Sequence, residues 1–318
     1  MLKRLLISSV LLTALLASPG AADAADTVVV PGVAARQLTA LDGNVVWVSG
    51  AFPKQTLMRR DIEGTVAPVQ GATTATYRSI DLGHDGNGQL VLTYLRCAGT
   101  KSCVAISDDL AGHRTSYKHL VPARCELTAA PSRWGSRVAY GLSCDKLHGK
   151  QHVHDTTRSG LFVRKNSAAP KRLRLPKDAV KFNVDNVSRV DLRGTIVGAA
   201  VSDIYSYAFA QTVNGSNLRS FFAAGSEGDS DEHVVGQSVG AGGVLWTLVD
   251  ASHAGDPNLA VISRLQSGTC ADYERLASPE ENEGYRAEGL AVDASTLYLY
   301  VPGTGIVTHT FTPTFTCS

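Results

Sequence analysis

The chain has 318 residues, of which 44% are hydrophobic and 19% charged, and its 30 Lys and Arg against 29 Asp and Glu leave a formal charge of +1. That balance supplies no global field to draw the protein onto nucleic acid or an anionic membrane. Beyond the N-terminal segment no run approaches the roughly 20 apolar residues of a membrane helix, so an integral membrane segment is not expected.

Lys3 and Arg4, the apolar run Leu5 to Leu16, and Ala22-Asp23-Ala24 form the three parts of a secretory signal peptide. We expect residues 1–24 to be a leader and residues 25–318 a single mature domain, secreted or extracytoplasmic. Six cysteines in such a chain suit disulfides better than metal ligands. Residues 27–30, "TVVV", read as an isolated strand.

After it one pattern recurs roughly every 50 residues, a polar or Gly turn followed by a short apolar strand, which is the spacing of four-stranded repeat units. The first copy is "DGNVVWVSG" from Asp42, followed by a strand "QTLMRRD" and the turn "DIEGT". Ahead of the second copy, "GNGQLVLTYLR" from Gly86, the run "HDGNGQ" mimics a calcium loop. Leu90 stands there in place of the loop's Gly and Arg96 in place of its bidentate Glu, so a hairpin turn is expected. Cys97 and Cys103 are symmetric about Thr100, and a hairpin turning there puts them on facing strands.

The third copy, "WGSRVAYGLSC" from Trp134, is bracketed by Cys125 and Cys144, which are symmetric about Trp134 and Gly135 and so face each other as well. Cys270 and Cys317 then pair by elimination. The insertion "KLHGKQHVHDTTR" holds His148, His152 and His154, imidazoles suited to zinc or copper, although a solvated loop explains them equally. "RKNSAAPKRLRLPKDAVK" from Arg164 is basic and falls on the outer strands of this unit, where Lys and Arg guard exposed sheet edges.

"RGTIVGAAVS" from Arg193 is the fourth copy, and the acidic run "GSEGDSDEH" after it offers Asp229, Asp231 and Glu232 as hard ligands for calcium. "GQSVG" from Gly236 fits a nucleophile-elbow spacing, but no helix follows it, as that chemistry requires. The fifth copy is "GGVLWTLVD" from Gly242 and the sixth is "ASTLYLYVPG" from Ala294. Trp47 and Trp246 each stand four residues after a Gly of their copies, which suggests recurrent packing between units. No sustained helical periodicity appears after the leader.

Six four-stranded units hide their edges by closing into a ring, so the expected fold is an all-β, six-bladed β-propeller with antiparallel blades. The last unit is poor in its outermost strand, and residues 27–30 are expected to complete it. The runs "RSIDLGHDGNGQLVLTYLRC" and "CVAISDDLAGHRTSY" resemble blades of TolB-like propellers, and "GLAVDASTLYLYVPGTGIV" is similar to NHL and YVTN blades. The resemblance implies a fold that hosts both binders and enzymes, and no catalytic residue carries over.

In such a ring the loops between second and third strands share a face with the blade-to-blade connections. Arg36, Arg78, Glu126, Glu232, His233, Arg286 and Glu288 lie near the starts of inner strands and are expected to ring that mouth. The opposite face, built of short Gly-rich turns, promises little chemistry. The function expected is non-catalytic binding of a protein, glycan or small ligand at the mouth. The alternative is a lactonase, lyase or hydrolase that uses a divalent metal, calcium or zinc, in the same place.

Overall fold

The computed structural model describes residues 26–35, 37–98, 102–149, 151–181, 186–202, 206–223, 233–250, 260–265, 272–276 and 287–312. Strand β1 (Thr27–Pro31) precedes the first blade, β2 (Leu38–Leu41), β3 (Asn44–Ser49), β4 (Thr56–Arg60) and β5 (Val66–Pro68). Blade 2 is β6 (Thr76–His84), β7 (Leu90–Ala98), β8 (Ser102–Asp108) and β9 (Arg114–Ser116). A short β10 (Cys125–Leu127) leads into blade 3, with β11 (Ser132–Trp134), β12 (Arg137–His148), β13 (Gln151–His154), β14 (Gly160–Lys165) and β15 (Lys171–Arg172).

After a short helix α1 (Lys177–Lys181), blade 4 is β16 (Val187–Arg193), β17 (Ile196–Ser202), β18 (Ser206–Thr212) and β19 (Arg219–Ala223). Blade 5 is β20 (His233–Val239), β21 (Leu245–Asp250), β22 (Ala260–Leu265) and β23 (Asp272–Leu276). Blade 6 is β24 (Gly289–Asp293), β25 (Thr296–Val301) and β26 (Gly305–His309), completed on its outer edge by β1. Blades 2 and 3 share one sheet only through a single parallel bridge between His84 and Trp134.

Each recurrent apolar run forms the second strand of a blade, namely β3, β7, β12, β17, β21 and β25. These strands are covered on both faces by neighbouring blades, which is why they read as near-continuous apolar stretches rather than alternating ones. The hydrophobic core is accordingly six clusters, one at each blade-to-blade junction. The cluster joining blades 6 and 1 contains Val30 of β1 together with Trp47 and Tyr300, so the ring is closed by the N-terminal strand as expected.

Both tryptophans pack between blades as expected, but the structure departs from the sequence reading in their equivalence and in a short helix. Trp47 and Trp246 both pack against blade 6, but from opposite sides, Trp47 from blade 1 and Trp246 from blade 5. Five residues separate the paired Val239 and Leu245 of blade 5 against two between Leu41 and Asn44 of blade 1, an odd difference, so Trp246 lies opposite Ser238 where Trp47 lies opposite Leu38. A slip of one residue turns a strand side chain to the other face. The second departure is α1, which the absence of helical periodicity did not predict. Pro176 precedes it, and the fully buried Ala179 seats it against the junction of blades 3 and 4.

A belt of polar side chains joins the inner strands across the junctions. Thr39 Oγ1 accepts the Leu82 amide at 3.0 Å, Asp191 Oδ2 accepts the Val239 amide at 2.7 Å, and Ser238 Oγ accepts the Val292 amide at 3.3 Å. Between blades 6 and 1 the matching residue is Ala291, and there Asp293 Oδ2 takes the Gly43 amide at 2.5 Å instead. No helix among the described residues is long and apolar enough to cross a membrane.

Candidate functional site

The face that carries the loops between second and third strands opens into a cavity of about 600 Å³ between blades 2 and 3. Arg78, Lys118 and Glu126 stand exposed at its rim, and Leu95, Ala105 and Tyr117 form its buried floor. Thr128 and Asn186 complete the wall where the chain passes towards blade 4.

Local structure explains why these groups meet. Arg78 precedes a bulge in β6, where Ser79 takes a positive φ of 50° and the register against β7 skips one residue. Glu126 sits on β10, a three-residue strand held to β12 by the bridge Cys125–Cys144, with Cys125 directly opposite Cys144. The other bridge, Cys97–Cys103, joins directly opposed residues of β7 and β8, and Cys103 lines the same cavity. Both hairpin bridges expected from sequence symmetry are therefore present, and they brace the two walls. Cys270 and Cys317 lie outside the described residues.

Of the residues expected to ring the mouth, the structure brings Arg78 and Glu126 into one cavity. His233 begins β20, its backbone paired with Asp250, and Glu288 precedes β24, its amide donating to the Tyr300 carbonyl at 2.9 Å. Arg36, Glu232 and Arg286 lie outside the described residues, as do Asp229 and Asp231. Tyr117, Lys118, Thr128 and Asn186 were not singled out as site residues in the sequence. Tyr117 Oη and Thr128 Oγ1, on two of the lining residues, are buried and have no hydrogen-bond partner among the described residues.

The His-rich insertion is an exposed hairpin rather than a loop, because β12 runs on to His148 and pairs with β13. Its register sets Asp145 opposite His154 and Leu147 opposite His152, which places these four on one face, and His148 opposite Gln151 on the other. The nearest carboxylate oxygen to His152 Nδ1 is Asp145 Oδ2 at 3.8 Å. The three histidines therefore do not converge, and among the described residues no three His, Cys, Asp or Glu gather to hold a metal. "GQSVG" is part of β20, and Ser238 donates to Asp191 Oδ2 at 3.0 Å as a blade-to-blade tie. "HDGNGQ" is a hairpin turn in which Asp85 Oδ1 accepts the amides of Asn87 and Gln89.

At the far end of the channel an arginine bridges opposite blades. Arg193 of blade 4 donates across the ring to the Ala40 carbonyl of blade 1 at 3.1 Å, with its Nε 3.1 Å from Asp191 Oδ1 and its guanidinium over Trp134. Nearer the mouth Arg189 donates to the Val235 carbonyl, and burial pushes its guanidinium down to about 10.

No protein-family model matches the sequence, and no curated protein does. Among solved structures, the chain is similar to a lectin of the fungus Aleuria aurantia described as a six-bladed β-propeller with a novel fucose recognition mode, at a TM-score of 0.50 and 8% identity over 91% of this chain and 98% of the lectin. A second structure of that lectin, in complex with α-methyl-L-fucoside, gives 0.49 and 9% identity over 92% of this chain and 99% of that one. Trypanosoma rangeli sialidase in complex with sialic acid gives 0.47 and 9% identity over 90% of this chain and 54% of the sialidase. At 8% identity the likeness to the first of these shows the six-bladed propeller fold alone.

Proposed function

We propose that the protein is an exported, non-catalytic propeller that holds a glycan or a similar polyhydroxylated ligand in the cavity between blades 2 and 3. The observation that carries this reading is the open cavity itself, whose lining is mixed polar and apolar, with Leu95 and Tyr117 at the floor and Thr128 and Asn186 on the wall. Arg78 and Glu126 at the rim add a planar donor fork and a carboxylate acceptor, which suit vicinal sugar hydroxyls.

The lining favours binding over turnover. Glu126 is its carboxylate and no histidine lines it among the described residues, whereas glycoside hydrolysis ordinarily uses two carboxylates. The architecture is one on which fucose recognition is described in the Aleuria lectin. On the same reading residues 1–24 are a leader, residues 25–318 are the mature TolB-like domain, and the bridges persist because that domain resides outside the cytoplasm.

A glycan microarray probed with the mature protein, followed by calorimetry on any hit, tests this. Arg78→Gln and Glu126→Gln are each expected to weaken the hit by roughly tenfold, the loss of one good hydrogen bond. Binding untouched by both substitutions, or hydrolysis of the bound ligand, overturns the proposal.

A further inference from the structure

The opposite face carries more chemistry than its short turns promised, and it lies around the bottom of blade 3. A cleft of about 480 Å³ between blades 3 and 4 is lined by Arg137, Lys165 and Lys171 together with Thr195, Thr212 and Asn214. On the other side of the same blade, a cleft of about 270 Å³ between blades 2 and 3 is lined by Arg133, Arg164 and His119. Neither cleft has an aspartate or glutamate in its lining.

The register concentrates these charges. Arg137 is directly opposite Lys165 across β12 and β14, and Lys171 is opposite Val163 on the same face. Like charges placed directly opposite one another destabilise a sheet. None of the three forms an ion pair among the described residues, and Lys171 Nζ donates only to the Asn214 carbonyl at 2.8 Å. In the other cleft Arg164 reaches the carbonyls of His119 and Ser167, while its Nε is buried without a partner.

Protection of a sheet edge explains Lys171 and Arg172 on the outermost strand β15, but not Arg137 and Lys165, which lie on the interior strands β12 and β14. A chain with a formal charge of only +1 has thus gathered, on both sides of one blade, cations that form no ion pair among the described residues. A ligand that brings several oxyanions would relieve the repulsion at both clefts at once.

We propose that this face binds a linear polysaccharide bearing sulfate or carboxylate groups, seated across the bottom of blade 3 with its anions in the two clefts. The blade is about one sheet spacing, or roughly 10 Å, thick, so an extended polymer reaches both clefts and a single small anion does not. Nucleic acid fits less well, because binding of single strands leans on exposed aromatic rings. Among the described residues the exposed large apolar side chains include one aromatic, Phe52, and it belongs to blade 1.

The test is salt elution of the mature protein from immobilised heparin, with polygalacturonate and an oligothymidylate of matched charge as competitors. Wild type is expected to be retained, and the Lys165→Glu/Lys171→Glu and Arg164→Gln variants to elute earlier. Each cation removed should lower the salt slope by about one. Lys54→Glu, on an exposed loop of blade 1, should elute close to wild type, which separates the clefts from net charge. Melting curves confirm that the variants fold. Competition by heparin alone assigns a sulfated polymer, and competition by both polysaccharides assigns the shared oxyanion chemistry. Failure of wild type to be retained, earlier elution of Lys54→Glu equal to that of the cleft variants, or stronger competition by oligothymidylate overturns the proposal. Because the cavity on the other face is untouched, the glycan-binding reading there stands or falls separately.

Discussion

Ser132 on the inner strand of blade 3 donates its hydroxyl to Asp81 Oδ2 of blade 2 at 2.6 Å, and Ser132 Oγ in turn accepts the Leu192 amide of blade 4, also at 2.6 Å. One fully buried hydroxyl thus fastens three consecutive blades. Ser132→Ala leaves both partners without it, and stability should fall by about 2–3 kcal/mol. Urea denaturation reads this directly. A midpoint within error of wild type would mean that the belt is incidental to the ring.

Asp81 also ties stability to pH. Burial, and after it the neighbouring Asp191 carboxylate, raises the Asp81 carboxyl well above its ordinary 3.8, against the opposing pull of Arg193. The folded state therefore keeps this proton to higher pH than the unfolded chain does. Its contribution to stability is full below the unfolded value of about 4 and is lost as pH rises towards the raised native one. Asp81→Asn keeps an acceptor for Ser132 and removes the titration. Relative to wild type, the variant should gain stability between pH 4.5 and pH 7.5. Parallel pH curves for the two proteins would refute this role for Asp81.

The residues of this belt show where the sequence became hard to read. The second strands were legible because being covered on both faces leaves a local mark, an unbroken apolar run after a turn. The hairpin bridges were legible because Cys97 and Cys103, and Cys125 and Cys144, are symmetric about turn positions. Thr39, Asp81, Ser132, Asp191 and Ser238 are single polar residues whose partners lie more than 40 positions away on another blade. One local signal was available. Thr39, Ser132 and Asp191 each stand three residues before a turn residue of positive φ, Asp42, Gly135 and Gly194. The cavity followed the same rule, since the rim charges Arg78 and Glu126 were readable from their places near inner strands. Tyr117 and Thr128 matter only through the space that two blades enclose.

Closure of the ring depends on its first strand. β1 pairs with β26, and just ahead of it Asp26 Oδ1 lies 2.7 Å from His309 Nδ1, while His309 Nε2 lies 3.1 Å from Glu274 Oε2 of blade 5. Removing residues 27–30 strips the outer edge of blade 6 and bares a row of unpaired backbone groups. The truncated protein should form soluble oligomers or precipitate, as followed by size-exclusion chromatography with light scattering. A monomer of unchanged melting temperature would show that the ring closes without β1.

The two bridges are expected to differ in worth. Their sequence separations are 6 for Cys97–Cys103 and 19 for Cys125–Cys144. Loop-closure entropy then makes loss of the second costlier by about 1 kcal/mol. The Cys125–Cys144 bridge also holds β10, and with it Glu126, in place. Paired Cys→Ser variants compared by denaturation should therefore rank Cys125/Cys144 as the more damaging, with weaker ligand binding in addition. Equal losses, or the reverse order, contradict the ranking.

The exposed arm of blade 3 makes the last prediction, because its register separates histidines that the sequence had grouped. His152 and His154 share a face with Asp145, and His148 lies on the other. A zinc site ordinarily uses three or four protein ligands, and among the described residues no three His, Cys, Asp or Glu gather to supply them. Calorimetric titration with zinc or copper should therefore show weak binding at most. Any heat should vanish in His152→Ala and His154→Ala and persist in His148→Ala. Calcium, which prefers carboxylate oxygen, should be indifferent to all three and respond instead to replacement of Asp229 and Asp231. Equal sensitivity to His148→Ala would require the arm to refold around the ion. Tight zinc binding coupled to turnover of a lactone or ester would restore the metal-dependent enzyme as the better reading of this propeller.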